Sequence, residues 1–270
     1  MHTDHKKILI TGSNGYIAKE IYTSLNKKYD ITLINRNTFD LRDNLSTKEW
    51  FSNRYFDVVI HTAITGGSRL LKDNSTVLDD NIRMYFNLLD CSKSFTKFLN
   101  IGSGAEKYYS NTYYGSSKKI INESIKDKNN FYNLRIYAVF NENELNTRFI
   151  KSNIIRYLNN NSLMIYKNRY MDFIYMNDFI AFIENYIIYE NLPKTIDCVY
   201  SEKTTLADIA SKINSLNDNK VNIIEENKEN DVPYTGDYYD LGIKLFGLDN
   251  GIRKTYLKLR ENYEKNMVCS

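Results

Sequence analysis

Tyr114-Gly115-Ser116-Ser117-Lys118 places a phenol and an ammonium four residues apart. On a helix those two side chains share a face. An ammonium beside a phenol favours the phenolate and lowers its pKa from about 10. Such a tyrosine can exchange a proton with a substrate hydroxyl or carbonyl near neutral pH. The chain holds 23 tyrosines, so one such pair could arise by chance, but Tyr114 alone has Lys at the fourth position onward. The plainer reading is an ordinary surface pair. Ser103 lies a little upstream, where the apolar run Phe98-Leu99-Asn100-Ile101 gives way to Gly102-Ser103-Gly104-Ala105-Glu106. A hydroxyl at the carboxyl end of a parallel strand sits where ligands bind in open α/β sheets, and could turn a reacting oxygen toward Tyr114. A loop serine capping its own turn is the alternative.

A second group of residues suits a phosphate. In Thr11-Gly12-Ser13-Asn14-Gly15-Tyr16-Ile17-Ala18, a turn follows a buried strand and opens a helix. Gly12 allows the tight turn, and Gly15 lets backbone approach a pyrophosphate. The free N–H groups of the helix start attract that anion. Ala18 keeps the third position small for close helix–strand packing. A plain strand–helix turn is the competing reading. After the second strand comes Asn35-Arg36-Asn37, where an NAD site would carry Asp or Glu. The planar fork of Arg36 suits a 2′-phosphate and favours NADP, with NAD possible; a solvated surface arginine is the alternative.

These residues need a scaffold, and the hydropathy pattern supplies one. Lys7–Ile10, Ile31–Ile34, Phe56–Ile60, Phe98–Ile101 and Phe131–Phe140 read as strands. Helices at Tyr16–Leu25, Val77–Cys91 and Tyr113–Ile125 alternate with them, which predicts a doubly wound parallel α/β sheet with helices on both faces. The second half is less regular. Helices are expected at Phe149–Asn159, Asn177–Tyr189, after Thr204 or Thr205, and from about Gly251. Short strands are expected at Leu163–Tyr166, Phe173–Tyr175, Thr195–Tyr200 and Val221–Ile224. The expected division is a dinucleotide-binding domain at 1–140, completed by about 172–200, with a smaller interwoven substrate-binding region at 141–171 and 201–270.

The glycine turn, the strand-end serine and the Tyr-x-x-x-Lys helix together resemble the extended short-chain dehydrogenase/reductase family. These are Rossmann-type, NAD-dependent epimerase/dehydratase enzymes acting on nucleotide sugars. The local motifs are most similar to the branch of GDP-L-fucose synthase-like 4-keto-6-deoxy sugar reductases. Asn35–Asp43 resembles that branch's Arg…Leu-x-Asp segment, His61–Gly67 its Ala-Ala-x-x-Gly-Gly loop, and Asp172–Asp178 its Phe-x-x-Val-x-Asp segment. The resemblance implies Tyr114 as acid/base, Lys118 holding the nicotinamide ribose and tuning Tyr114, and Ser103 polarising the C4 oxygen beside Ala105. It implies Gly12, Asn14, Gly15, Tyr16 and Ile17 around the pyrophosphate, Arg36 at the 2′-phosphate, and Leu41 and Asp43 near the adenine. His61, Thr62 and Ala63 would run under the cofactor, and Tyr137 and Val139 beside the nicotinamide. Arg148 and Arg169 would meet the nucleotide diphosphate of the substrate. Asn81 would either touch the ligands or be buried structurally. A homodimer through the two long helices would fit family habit.

The sequence also departs from that branch. Ala105 stands where a cysteine used in epimerisation would be, and no histidine follows His61. Epimerisation by a cysteine–histidine pair is therefore not expected. Glu106 is expected to be exposed. The reading that follows is an NADPH-dependent reductase of a nucleotide-linked 4-keto-6-deoxy sugar. A nucleotide-sugar 4-epimerase retaining NAD is the second reading, and a non-enzymatic dinucleotide binder the third; the intact Ser/Tyr/Lys set weighs against the last.

Composition excludes other classes. With 270 residues, 42% hydrophobic and 26% charged, the chain is globular rather than disordered. A net charge of +3 is too even for nucleic-acid binding by bulk electrostatics. In the basic tail, Glu261 and Glu264 interleave with Lys254, Lys258, Arg260 and Lys265, as on a solvated helix face. Cys91, Cys198 and Cys269 are too scattered for a disulfide framework or a metal site, and Cys91 and Trp50 are expected to pack. The polar start from Met1 to Lys7 does not read as a signal peptide, and no apolar run is long enough to span a membrane. A soluble cytoplasmic protein is expected, with a nucleotide sugar as partner and neither metal, nucleic acid nor membrane.

Overall fold

The computed structural model describes residues 6–68, 71–229 and 231–268, with the backbone alone at 265–268. Cys269 and the segment Met1–His5 lie outside the described residues, as does the Lys265 side chain. In chain order the elements are β1 (Lys7–Thr11), α1 (Tyr16–Leu25), β2 (Asp30–Ile34), α2 (Asn44–Phe51), β3 (Phe56–His61), α3 (Ser75–Asp90), β4 (Phe95–Ser103), α4 (Ala105–Tyr108), α5 (Tyr113–Lys126) and β5 (Phe131–Ile136). They continue as β6 (Val139–Phe140), α6 (Phe149–Leu158), β7 (Leu163–Lys167), β8 (Ile174–Tyr175), α7 (Met176–Ile188), β9 (Thr195–Asp197), α8 (Leu206–Asn214), β10 (Ile223–Asn227) and α9 (Leu248–Val268).

The chain divides into two compact units. One runs to Ile136 and takes up Phe182–Asp197; the other comprises Tyr137–Ala181 and Cys198 onward. The first unit carries a six-stranded parallel sheet in the order β2-β1-β3-β4-β5-β9. Parallel neighbours need crossovers, and the helices between the strands supply them. Ile8, Leu9 and Ile10 of β1 are wholly buried, as a strand covered on both faces requires. The strand order runs outward from β1 in both directions. The topology therefore switches between β1 and β3 and leaves a crevice at their carboxyl ends.

One side of the sheet is sealed by an aromatic cluster in which Phe95, Phe98 and Phe131 meet Phe51 and Phe56, with Cys91 buried among them. Trp50 packs on Phe39 and Phe56 at ring separations of 5.2 and 5.8 Å. Side chains of Asp43, Asn74 and Thr112 cap α2, α3 and α5 at their starts, satisfying helix N–H groups that have no partner within the helix.

The second unit holds two small parallel sheets, β10 with β7 and β6 with β8, together with α6, α8 and α9. Thr205 and Asp208 form a reciprocal capping box at the start of α8. The strand expected at Val221–Ile224 lies at Ile223–Asn227, because it pairs with β7 there. The tail helix starts at Leu248 rather than near Gly251. A Cβ on Gly251 would lie 2.7 Å from Tyr175 Cβ, so that glycine is a packing position inside the helix. In the tail, Arg260 pairs with Glu264 at 2.7 Å and Lys258 with Glu261 at 3.5 Å on an exposed face. No helix among the described residues is long and apolar enough to cross a membrane.

Candidate active site

The first unit contains a cavity of about 380 Å³ at the switch point between β1 and β3. Its walls include Gly12, Asn14 and Gly15 from the turn after β1, Arg36 and Leu41 from beyond β2, and Thr62 and Ala63 from the end of β3. Gly12 has φ +68°, and a Cβ there would lie 2.6 Å from Ala63 Cα. Only glycine lets the two strand ends come so close. Thr11 ties them further: its carbonyl accepts the Thr62 hydroxyl at 2.6 Å and its own hydroxyl accepts the Ala63 N–H at 3.1 Å. Gly15 stands at the N-cap of α1 and, having no side chain, supplies no cap of its own. The tight glycine turn, the uncapped helix start and the cavity volume fit the diphosphate and adenosine portion of a dinucleotide.

Other expected cofactor residues take different places. Tyr16 and Ile17 are half-buried in the first turn of α1 and do not line the cavity. Asp43 caps α2, accepting from Leu45 N at 3.0 Å and Ser46 Oγ at 2.6 Å, and does not line it either. Asn35, Phe39 and Asp40, to which the motifs assign no role, do line it. Asn35 donates to Ser13 Oγ at 2.9 Å and accepts from Asn37 N at 2.8 Å, which fixes the turn that carries Arg36. Arg42 is consumed by Asp40 at 2.6 Å and Asp80 at 3.1 Å, and holds the Asp40 carboxyl below its ordinary range. Arg36 is exposed and makes no hydrogen bond or ion pair among the described residues. His61 is buried with Nδ1 2.9 Å from Thr11 Oγ1; burial pushes it down to about 3, so it is neutral at physiological pH.

Ser103 ends β4, α4 follows at once, and α5 starts against α4. A Cβ on Gly115 would lie 1.9 Å from the Tyr109 carbonyl oxygen, so the glycine after Tyr114 is what admits this close approach. Tyr114 is half-buried in the first turn of α5, and Lys118 is buried one turn on. The Lys118 ammonium lies 5.9 Å from the centre of the Tyr114 ring and donates to the Ile101 carbonyl of β4 at 2.5 Å. Burial lowers its pKa from 10.5 to about 8, and Glu106 opposes that fall. The Ser103 hydroxyl accepts from Ala105 N at 3.2 Å, so it caps its own turn while its proton stays free to be donated.

Glu106 is not on the surface as expected. It is 5% exposed, because Arg135 meets it at 3.0 Å and Asn133 at 3.1 Å and repay its desolvation. The Ser103-x-x-Glu106 spacing, which lets the carboxylate reach back to the Ser103 N–H, is a local signal, but Asn133 and Arg135 lie on the next strand and leave none. Asn81 is structural: its amide bonds both the N–H and the carbonyl of Thr65, at 2.8 and 3.0 Å, and reaches Ser117 Oγ at 3.1 Å. Gly67 has φ +70°, and a Cβ on it would lie 2.8 Å from Tyr114 Cε2, so its backbone lies against the phenol ring.

The remaining expected residues belong to the second unit. Tyr137 is buried against Tyr234, and Val139 pairs with Ile174. Arg148 is exposed at the start of α6, and Arg169 pairs with Asp231 at 3.3 Å beside the Tyr234 ring. Among the described residues no group of three His, Cys, Asp or Glu side chains could hold a metal ion.

Residues 8–188 match the model of the NAD-dependent epimerase/dehydratase family. No curated protein matches the sequence. Solved structures of similar fold include a GDP-L-fucose synthetase from Naegleria fowleri, 17% identical, covering 97% of this chain and 95% of that one at a TM-score of 0.76. A UDP-glucose 4-epimerase from Thermotoga maritima is 16% identical over 95% of this chain and 99% of its own, at 0.77. A GDP-mannoheptose C4 reductase from Campylobacter jejuni, with NADP bound, is 14% identical over 96% and 100%, at 0.77.

Proposed function

Because the chain belongs to the NAD-dependent epimerase/dehydratase family, and so is an NAD(P)-dependent oxidoreductase or epimerase, we propose that it reduces a nucleotide-linked 4-keto-6-deoxy sugar with NADPH. The observation that carries this reading is the Tyr114–Lys118 pair on α5, whose ammonium bonds Ile101 of the strand that ends in Ser103. In the proposed reaction the bound dinucleotide supplies a hydride to C4. Tyr114 donates the proton that the C4 oxygen then needs, and Lys118 holds a positive charge beneath the ring while the phenol gives that proton up. Ser103 donates to the same oxygen and fixes its direction. Positioning and fixed charge at the oxygen contribute most of the lowering of the barrier. Gly12, Asn14 and Gly15 hold the diphosphate, Thr62 and Ala63 the floor, Leu41 the adenine, and Arg36 the 2′-phosphate. Arg36 is the cavity's exposed guanidinium, whereas Arg42 is tied up by two carboxylates, which favours NADP. Within the second unit, Tyr137, Val139, Arg148 and Arg169 are the proposed ligand contacts.

A C4 epimerase is the second reading, favoured by the likeness to a UDP-glucose 4-epimerase. Ala105 and the lack of any histidine after His61 exclude only cysteine–histidine epimerisation, not oxidation and reduction at C4. One experiment separates the two. The purified protein is incubated with NADPH and a GDP-linked 4-keto-6-deoxy hexose, and the products are weighed by mass spectrometry. A reductase yields a sugar heavier by two hydrogens, with one NADPH consumed for each. Protein that carries NAD through purification and interconverts UDP-hexoses without added reductant would overturn the reductase reading.

A further inference from the structure

The carboxylate of Glu106 is wedged among the elements that carry Ser103 and Lys118. Its Oε1 accepts the Ser103 N–H at 2.9 Å, both its oxygens accept from Asn133 Nδ2, and Oε2 accepts from Arg135 Nε at 3.0 Å. The fit is close enough to require glycine at 102, where a Cβ would lie 2.6 Å from Oε1. Arg135 continues to Asp197 of β9, which Lys107 meets at 2.7 Å. Lys118 binds the carbonyl of Ile101, two residues before Ser103 on the same strand. The titratable and charged groups facing Lys118 are Glu106 from α4, His61 from β3 and Tyr114 on its own helix. His61 is neutral, whereas the Glu106 carboxylate favours the charged form of the ammonium, whose Ile101 carbonyl partner adjoins the glycine packed on Oε1.

We propose that Glu106 is a positioning residue of this site, holding the Ser103 peptide in place and balancing the Lys118 ammonium beneath Tyr114. The inference rests on reading Ser103, Tyr114 and Lys118 as the reacting set. It predicts that removing the charge at 106 weakens the hold of Lys118 on its proton, so that activity is lost at a lower pH. Asp197 is the control, since it belongs to the same ion network but bonds neither Ser103 nor Lys118.

The test compares wild type, Glu106→Gln and Asp197→Asn. The Lys118 amine is titrated by NMR on lysine labelled at Cε, and the pH profile of kcat is measured with NADPH and a GDP-linked 4-keto-6-deoxy hexose. In Glu106→Gln the Lys118 midpoint and the alkaline limb of kcat should fall together by about one pH unit, which is a tenfold change in proton affinity. In Asp197→Asn both should stay within about 0.3 units while stability drops. Glu106→Ala, which also removes the acceptor, should speed exchange of the Ser103 amide at least about tenfold. A Lys118 midpoint unmoved in Glu106→Gln, or moved equally in Asp197→Asn, overturns the proposal. The NMR titration needs no substrate. If wild type reduces no such sugar, the reductase reading falls while the titration still decides the role of Glu106.

Discussion

A phenol that must hand over a proton in one direction needs its ring held, and Gly67 lies against that ring. An alanine there meets Tyr114 at less than contact distance and must also adopt φ +70°, a strained conformation for a side-chain-bearing residue. Gly67→Ala should therefore tilt the ring and lower kcat about 10- to 100-fold, with the Kd for NADPH within about twofold of wild type. Steady-state kinetics beside a fluorescence titration checks both. At the other end of the site, Arg36→Ala should raise the Kd for NADPH at least about tenfold and leave that for NADH almost unchanged. Equal loss for both dinucleotides would remove Arg36 from the 2′-phosphate. Tyr114 and Lys118 were legible because their spacing is a local property of a helix. The Gly67 contact and the burial of Glu106 were not, because each depends on groups brought together from separate loops and strands. Asp40 and Arg42 carried a readable signal in their spacing, an acid and a guanidinium two residues apart beside Arg36.

At the scale of elements, the sheet was readable because β1 and β3 carry the apolar runs Ile8–Ile10 and Val58–Ile60, each followed by a periodic helix. One exception inside the sheet is Lys97, a buried lysine near the start of β4. Its ammonium donates to the carbonyls of Tyr186 and Tyr189, both at 2.8 Å, and pairs with Glu190 at 3.1 Å. These are carbonyls at the end of α7, which no further helical turn can satisfy. The charge also suits the negative end of the helix. No pattern within residues 95–103 announces this, because the partner helix arrives from the far side of the chain. Lys97→Met keeps the stem but strands the buried Tyr186 carbonyl and the half-buried bond to Tyr189, and should cost about 1–3 kcal/mol of unfolding free energy in a urea melt. A change below about 0.5 kcal/mol would mean that water or Lys194 serves those carbonyls instead. The short β6, β8 and β9 and the helix α4 escaped exact placement for a related reason: strands of two or three residues carry no periodicity of their own.

At the scale of the whole chain, stability depends on pH through a carboxyl buried in the second unit. In the second unit Glu144 is buried with Oε1 unpartnered, and burial pushes its pKa from 4.5 to about 8. Between those values the folded protein keeps a proton that the unfolded chain has released, so stability falls as pH rises through that window. Glu144→Gln does not titrate and should reduce the loss of stability between about pH 5 and pH 8.5 by about 3 kcal/mol, read from urea melts at each pH. Identical pH dependence in the two proteins would show that Glu144 titrates normally. The first unit carries the reaction proposed here, and the account turns on the phenol of Tyr114 as its proton donor. The most direct measurement is single-turnover oxidation of NADPH with a GDP-linked 4-keto-6-deoxy hexose, followed in wild type and in Tyr114→Phe. The variant should bind NADPH with a Kd within about twofold of wild type and turn over about 10²- to 10⁴-fold more slowly. Turnover within about threefold of wild type would contradict it.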